Sequence, residues 1–198
     1  MKKIDLLVTG VGGQGVILAG DILSEAALAA GYDVKKTDTL GMAQRGGSVV
    51  SHVRIATEVK SPLAREGDVD IILAFEKLEA ARWAHFLRPG GVIIVNNQSL
   101  PPLAVSVGKE RYPADAEIKD ILLKRTEQVH FVDGIRRATE MGNAKTLNVF
   151  MLGCVSNFLP IESTTWQASI AGRVPEKVSR INMTAFDEGR KEIGDGHR

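Results

Sequence analysis

The chain has a single cysteine, Cys154, among 198 residues. One thiol forms no internal disulfide. Nor can it ligate an iron–sulfur cluster or a structural zinc, which take several cysteine or histidine donors. A reducing, cytoplasmic setting fits that count. Net charge is also lacking, the formal balance being +1. The broad basic field of nucleic-acid-binding domains is therefore missing, and nucleic acid is not expected as a partner. No stretch approaches the roughly 20 apolar residues of a membrane span. The apolar run after the N-terminal lysines stops at Gly10, too soon for a secretory core. A soluble chain that does not engage a membrane is expected. There is no internal repeat and no low-complexity segment. The four histidines, His52, His85, His130 and His197, show no Ser–His–Asp or metal-ligand spacing. No metal site is expected.

The chain does contain a clear alternation of elements. Residues 4–9, IDLLVT, read as a buried strand closed by glycine. From Gly15 the period changes: Val16, Ala19, Leu23, Ala26, Ala27 and Ala30 share one helical stripe, and Gly31 supplies the stop. Residues 33–38 read as a second strand, which makes the opening a βαβ unit, parallel and right-handed. Further strands are expected at 49–55, 70–75, 92–96 and 128–132, and helices at 77–87 and 115–126. Residues 99–113 hold three prolines and are the least regular stretch. Helices are expected at 146–158, 164–171 and 175–193, the last with Pro175 in its first turn. The fold class is α/β. It is a three-layer α/β/α domain whose sheet is mostly parallel, with a mixed sheet allowed and a Rossmann-like start. The whole of 1–198 is expected as one domain, with 144–193 as a helical C-terminal segment that wraps the domain or reaches a partner.

Gly10, Gly12 and Gly15 satisfy G-x-G-x-x-G between a strand and a helix, the context a dinucleotide loop requires. The helix start offers free N–H groups and a partial positive charge to an anion. Asp38 stands near the end of the second strand, where a ribose-binding acid belongs. The same glycines would also serve a tight turn with no ligand. Gly13 and Gln14 add detail. Gln14 is expected at the outward tip of the loop, its amide free for a cofactor or a partner's backbone, or merely solvated. A second loop, GMAQRGGS at 41–48, follows the second strand and should face the first loop across one edge of the sheet. In it Gln44, Arg45, Gly46 and Gly47 are candidates, because a guanidinium beside exposed backbone clamps a carboxylate or phosphate. Asn148 is the polar exception in an apolar helix and needs a partner. His52, Trp83 and Trp166 read as packing residues, with the tryptophans also open to an interface role.

GVGGQGVILAGDILSEAALAAGYDV followed by TDTLGMAQRGGSVVSHVRI resembles the gamma domain of the pyruvate/2-oxoacid:ferredoxin oxidoreductases. Within that family the likeness is to the beta subunit of indolepyruvate:ferredoxin oxidoreductase. It continues through SPLAREGDVDIILAFEKLEAARWAHFLRPGGVIIVN and LNVFMLG, returns more loosely in INMTAFDEG, and spans nearly the whole chain. GVGGQG paired with MAQRGGS at this spacing is far more specific than either motif alone.

The resemblance implies a subunit without turnover of its own, in an enzyme that oxidatively decarboxylates a 2-oxoacid, indolepyruvate or another arylpyruvate, to an acyl-CoA. Thiamine diphosphate, Mg²⁺ and 4Fe–4S clusters would belong to a large alpha subunit, with coenzyme A as co-substrate and ferredoxin as acceptor. This chain alone would hold no cofactor, and in isolation it could self-pair as a homodimer. Gly194-Asp195-Gly196 spells the start of a thiamine motif, but only His197 and Arg198 follow, so the metal-ligating asparagine of that motif is missing. Two other readings stay open on the residues themselves. One is a stand-alone NAD(P)- or flavin-dependent oxidoreductase. The other is a non-catalytic nucleotide- or CoA-binding module.

Overall fold

A computed structural model describes residues 3–41 and 47–194. Six strands form one sheet: β1 (Ile4–Val11), β2 (Asp33–Leu40), β3 (Ser48–Ala56), β4 (Val69–Ala74), β5 (Leu87–Asn96) and β6 (Val129–Val132). Their order is β2-β3-β1-β4-β5-β6. β1, β4, β5 and β6 pair in parallel, while β3 runs antiparallel to both β1 and β2. The sheet is therefore mixed, and β2 points along β1 without touching it. The opening βαβ expectation holds in direction but not in adjacency. The reason is the short link at 41–47. It is long enough for a hairpin but too short for the crossover that a parallel neighbour requires, so β3 folds back between β2 and β1.

Side chains alternate across the sheet, and both faces are buried. Leu6 and Val8 of β1, Ile71 and Leu73 of β4 and Ile94 of β5 enter one core. That core is covered by α1 (Val16–Ala29), α6 (Leu147–Ser156), α7 (Ser163–Arg173) and α8 (Glu176–Gly194). Leu7, Ile72, Ile93 and Val95 face the other way, against α2 (Lys77–Trp83) and α4 (Asp115–Leu123). Strands buried on both faces need no period-2 polarity, which is why they read as continuous aliphatic runs. Two shorter helices complete the chain, α3 (Leu103–Ser106) and α5 (Gly134–Glu140).

Three local departures from the sequence expectation have physical causes. The helix expected over 77–87 stops at Trp83, and Leu87 already belongs to β5. The ladder then shifts register between Val69 and Ile71 of β4, so Arg88-Pro89-Gly90-Gly91 is absorbed in an irregular strand start rather than a loop. Gly90 takes φ 71° there. α5 was not expected at all: only Gly134 and Ala138 of its GIRRATE are buried, too few to show a helical period. The C-terminal helices do not stand apart from the domain. Every residue of α6 is buried, and α8 crosses it backbone against backbone. A Cβ placed on Gly153 would stand 2.2 Å from the Phe186 carbonyl oxygen, and one on Gly189 2.0 Å from that of Phe150.

Candidate functional site at the joined glycine loops

The site sits where β1 ends and α1 begins. Gly13 and Gly15 have φ of 104° and 81°, and Gly15 caps α1 in the left-handed conformation. A side chain there would be strained, so the fold requires glycine at both. Gly10 is different. Its backbone is extended in β1, but a Cβ would stand 2.8 Å from Phe75 Cβ and 2.9 Å from Val16 Cγ2. It allows α1 to start hard against the end of β4. The Ala19 N–H bonds back to the Gly15 carbonyl at 2.9 Å. The amides just before it, at the helix start, have no intrahelical acceptor and carry the positive end of the dipole.

The second loop meets the first. The Gly12 N–H donates to the Gly47 carbonyl at 2.9 Å, and the Gly41 N–H donates to that of Ser48 at 2.8 Å. The expected juxtaposition is thus present at the described ends of the loop. Gln44, Arg45 and Gly46 lie outside the described residues, as do Asp195, Gly196, His197 and Arg198. Ser48 is held from below: its hydroxyl donates to Glu79 at 2.5 Å, and Glu79 pairs with Arg82 at 2.9 Å. Burial pushes the Glu79 carboxyl above its ordinary value, while Ser48 and Arg82 pull the other way.

Gln14 corrects the sequence reading. It is not an outward tip. Its Oε1 accepts the Val11 N–H at 2.8 Å, and its Nε2 donates to the Phe75 carbonyl at 2.9 Å and to Gln98 Oε1 at 3.1 Å. Both donors of the amide are committed inside the chain, so Gln14 clamps the loop to the ends of β4 and β5. Sequence reasoning missed the polar layer behind it. Asn96 Nδ2 donates to the Phe75 carbonyl at 3.0 Å, and its Oδ1 accepts the Ile135 N–H at 3.1 Å. Glu76, 1% exposed, accepts the Glu79 N–H, the Leu100 N–H and the Tyr112 hydroxyl. The available signal was a polar residue closing each buried strand, Glu76 after DIILAF and Asn96 in VIIVN.

Asn148 lies beside the loop. It is 6% exposed, and its Oδ1 accepts the neighbouring Val149 N–H at 2.9 Å. Its Nδ2 faces the bare side of Gly15, 3.0 Å from where a Cβ would stand. A cleft of about 740 Å³ opens on the other flank of α1, between Gly13, Ile17, Leu40 and Val49. A smaller one of about 380 Å³ lies between Gly13, Gln98, Lys145 and Asn148.

Other candidates resolve into packing. His52 is 4% exposed, edge-on to Trp83 and Phe86, and burial depresses its pKa. Trp166 is fully buried, and Trp83 is partly buried against the second core. Asp38 is tied to Lys36 at 2.6 Å and to the Ser51 hydroxyl at 2.5 Å. It also stands on β2, which β3 separates from β1, whereas a dinucleotide fold sets the ribose acid on the strand next to the loop. The lone thiol, Cys154, is buried, and burial drives its pKa up. Among the described residues no three His, Cys, Asp or Glu side chains gather as a metal site. The donor set does not fit an iron–sulfur cluster.

A mixed sheet, two hydrogen-bonded glycine loops and a helical cap form the arrangement into which the comparisons with known proteins fall. The pyruvate ferredoxin/flavodoxin oxidoreductase family matches residues 5–192. This chain belongs to that family. It is 38% identical to the indolepyruvate oxidoreductase subunit IorB of Pyrococcus horikoshii over 194 residues, 96% of each chain. It shares its fold with the keto/oxoacid ferredoxin oxidoreductase gamma subunit of Geobacter sulfurreducens, with TM-score 0.72 and 23% identity over 98% of this chain and 99% of that one. The 2-oxoglutarate:ferredoxin oxidoreductase of Magnetococcus marinus, solved with 2-oxoglutarate, coenzyme A and succinyl-CoA, matches all of this chain with TM-score 0.75 and 24% identity. There the fold fills 32% of a longer chain. The same unit thus occurs as a separate subunit and as part of a larger polypeptide.

Proposed function

We propose that this chain is the small, non-autonomous subunit of a thiamine-dependent 2-oxoacid:ferredoxin oxidoreductase acting on indolepyruvate or a related arylpyruvate. The observation that carries this is the pairing of the two glycine loops, built rigidly from beneath by Gln14 and Glu79, in a chain whose own donors fit no cluster. A loop rim held this firmly, with no redox or acid–base group of its own, serves a reaction whose chemistry stands on another chain. The likeness to IorB favours an indolepyruvate enzyme.

The large partner subunit carries thiamine diphosphate, Mg²⁺ and the 4Fe–4S clusters. Coenzyme A is the co-substrate and ferredoxin the acceptor, in the cytoplasm. This chain, one domain over 1–198, contributes the rim: Gly10, Gly12, Gly13 and Gly15 shape it, Gly47 ties it, and Gln44, Arg45, Gly46 and Asn148 face ligand or partner. Its part is to orient an anionic group, at the α1 start and beside Arg45, and to exclude water where the chains meet. The test is reconstitution. The isolated chain should show no indolepyruvate-dependent reduction of ferredoxin, and co-expression with a cluster-bearing large subunit should restore it. Turnover by the chain alone would overturn the reading. Saturable micromolar NADH binding would favour a dinucleotide enzyme instead.

A further inference from the structure

Both glycine loops are held by one short stretch of chain. The first is tied through Gln14 to the carbonyl of Phe75, the residue before the Glu76 cap of α2. The second is tied through the Ser48 hydroxyl to Glu79, in the first turn of α2. Between these two points the Glu76 carboxylate accepts the Glu79 N–H at 2.9 Å, the Leu100 N–H at 3.0 Å and the Tyr112 hydroxyl at 2.5 Å. The turn from Phe75 to Glu79 is thus fixed from the far side, and the two loops are attached to it at a set spacing.

The tie at Ser48 matters because of its place in the sheet. Ser48 is the terminal residue of β3 and the last to pair with β1, opposite Val11. Gly47 precedes it. Glycine adds backbone freedom, so a strand end beside it frays unless it is tied. The Gly47 carbonyl nevertheless accepts the Gly12 N–H at 2.9 Å. Glu79, 2% exposed, is the acceptor placed under that strand end. A hydrogen bond to a carboxylate is about twice as strong as one between neutral groups. The charged and titratable groups that act on Glu79 are Arg82, at 2.9 Å, and Glu76, with Ser48 reaching it from β3 and Trp83 from α2. Lys77 is paired instead with Asp115 of α4.

We propose that Glu79 is a positioning residue for the rim: through Ser48 it fixes the Gly47 carbonyl where the Gly12 N–H reaches it, so that the first turn of α2 sets the two glycine loops in register. This role rests on the joined loops being the working rim of the subunit. Glu79 acts only through Ser48, and it acts as a carboxylate. Arg82 donates to Oε1, so a proton taken up by the carboxyl sits on Oε2, the atom to which Ser48 donates. A charge-assisted bond then becomes a neutral one, and the tie weakens.

The test uses the whole ¹⁵N-labelled chain. Amide exchange at Gly12 should quicken about tenfold in Ser48→Ala, the scale of one hydrogen bond to a charged group. It should return to the parent rate in Ser48→Thr, which keeps the hydroxyl, while exchange at mid-strand Leu7 stays the same in both. Burial raises the Glu79 pKa. The amide shifts of Gly12 and Gly41 should therefore titrate together above the ordinary carboxylate value, with the loops joined above that pH and loosened below it. In Glu79→Gln, which keeps the size of the side chain, that titration should vanish. A residue serving only the stability of the core would lower Tm and move neither readout at Gly12. Exchange at Gly12 that is equal in Ser48→Ala and the parent, or a Gly12 titration that survives Glu79→Gln, would overturn the proposal. Both readouts belong to the chain alone. If the parent fails to support turnover with a large subunit, the subunit reading falls, and these measurements still decide the role of Glu79.

Discussion

Replacing Gly189 with alanine is a severe test of how α6 and α8 are held together. The added Cβ would stand 2.0 Å from the Phe150 carbonyl oxygen, 2.9 Å from its carbon and 3.2 Å from the Cys154 nitrogen. These are backbone atoms of a helix with every residue buried, so no side chain can swing away. Relief to an ordinary contact of about 3.5 Å requires α8 to withdraw by more than 1 Å, which opens the packing of Phe186, Ala185 and Phe150 along the seam. Overpacking costs about 1–3 kcal/mol where side chains can adjust, and more where they cannot. Against this, alanine in place of glycine inside a helix gains about 1 kcal/mol. The balance is a loss of about 3 kcal/mol, or roughly 6–12 °C in Tm for a chain of this size. Gly172→Ala is the control. A Cβ there meets nothing within 4 Å, so only the helix-propensity gain remains, reduced because Gly172 is the last residue but one of α7, and stability should rise by about 0.5 kcal/mol. Thermal unfolding followed by circular dichroism reads both. If Gly189→Ala were as stable as the parent, the backbone-to-backbone seam would be wrong.

Gln14→Ala should cost about 1–3 kcal/mol, because it leaves the Val11 N–H without its acceptor and the Phe75 carbonyl with the Asn96 amide as its remaining side-chain donor. Amide exchange at Val11 should quicken well beyond that at mid-strand Leu7; equal rates would refute the clamp. The His52 pKa is lowered from 6.5, chiefly by burial. A depressed folded pKa means that stability is fully present above pH 6.5 and falls as pH drops through the folded value. His52→Gln should flatten the urea-unfolding free energy over that acid window, and an unchanged slope would remove His52 from the account. Arg45→Ala should leave the Tm of the isolated chain unchanged and impair assembly or turnover of the reconstituted enzyme. Full activity would show that the second loop has no such role.

Much of this protein was legible in its residues. Both glycine loops, five of the six strands within one or two residues and the buried character of 147–156 follow from periodicity and from glycine placement. The family follows from two motifs at a fixed spacing. Those signals are local, and each is a property of neighbours in the chain. Sequence could not show what depends on distant partners. The fold-back of β3 against β2 follows from the shortness of the link between them, which allows antiparallel but not parallel pairing. It carries Asp38 away from the strand beside the loop and so weakens the dinucleotide reading. The inward turn of Gln14 exists only because the Phe75 carbonyl and Gln98 come within reach, 61 and 84 residues further along. The approach of Asn148 to Gly15 likewise appears only once α1 and α6 are packed on one face of the sheet. The sequence by itself determined the kind of fold and the loops that matter. The tertiary structure decided which way their side chains point, because hydrogen bonds and close contacts are made between residues whose separation in the chain hides them.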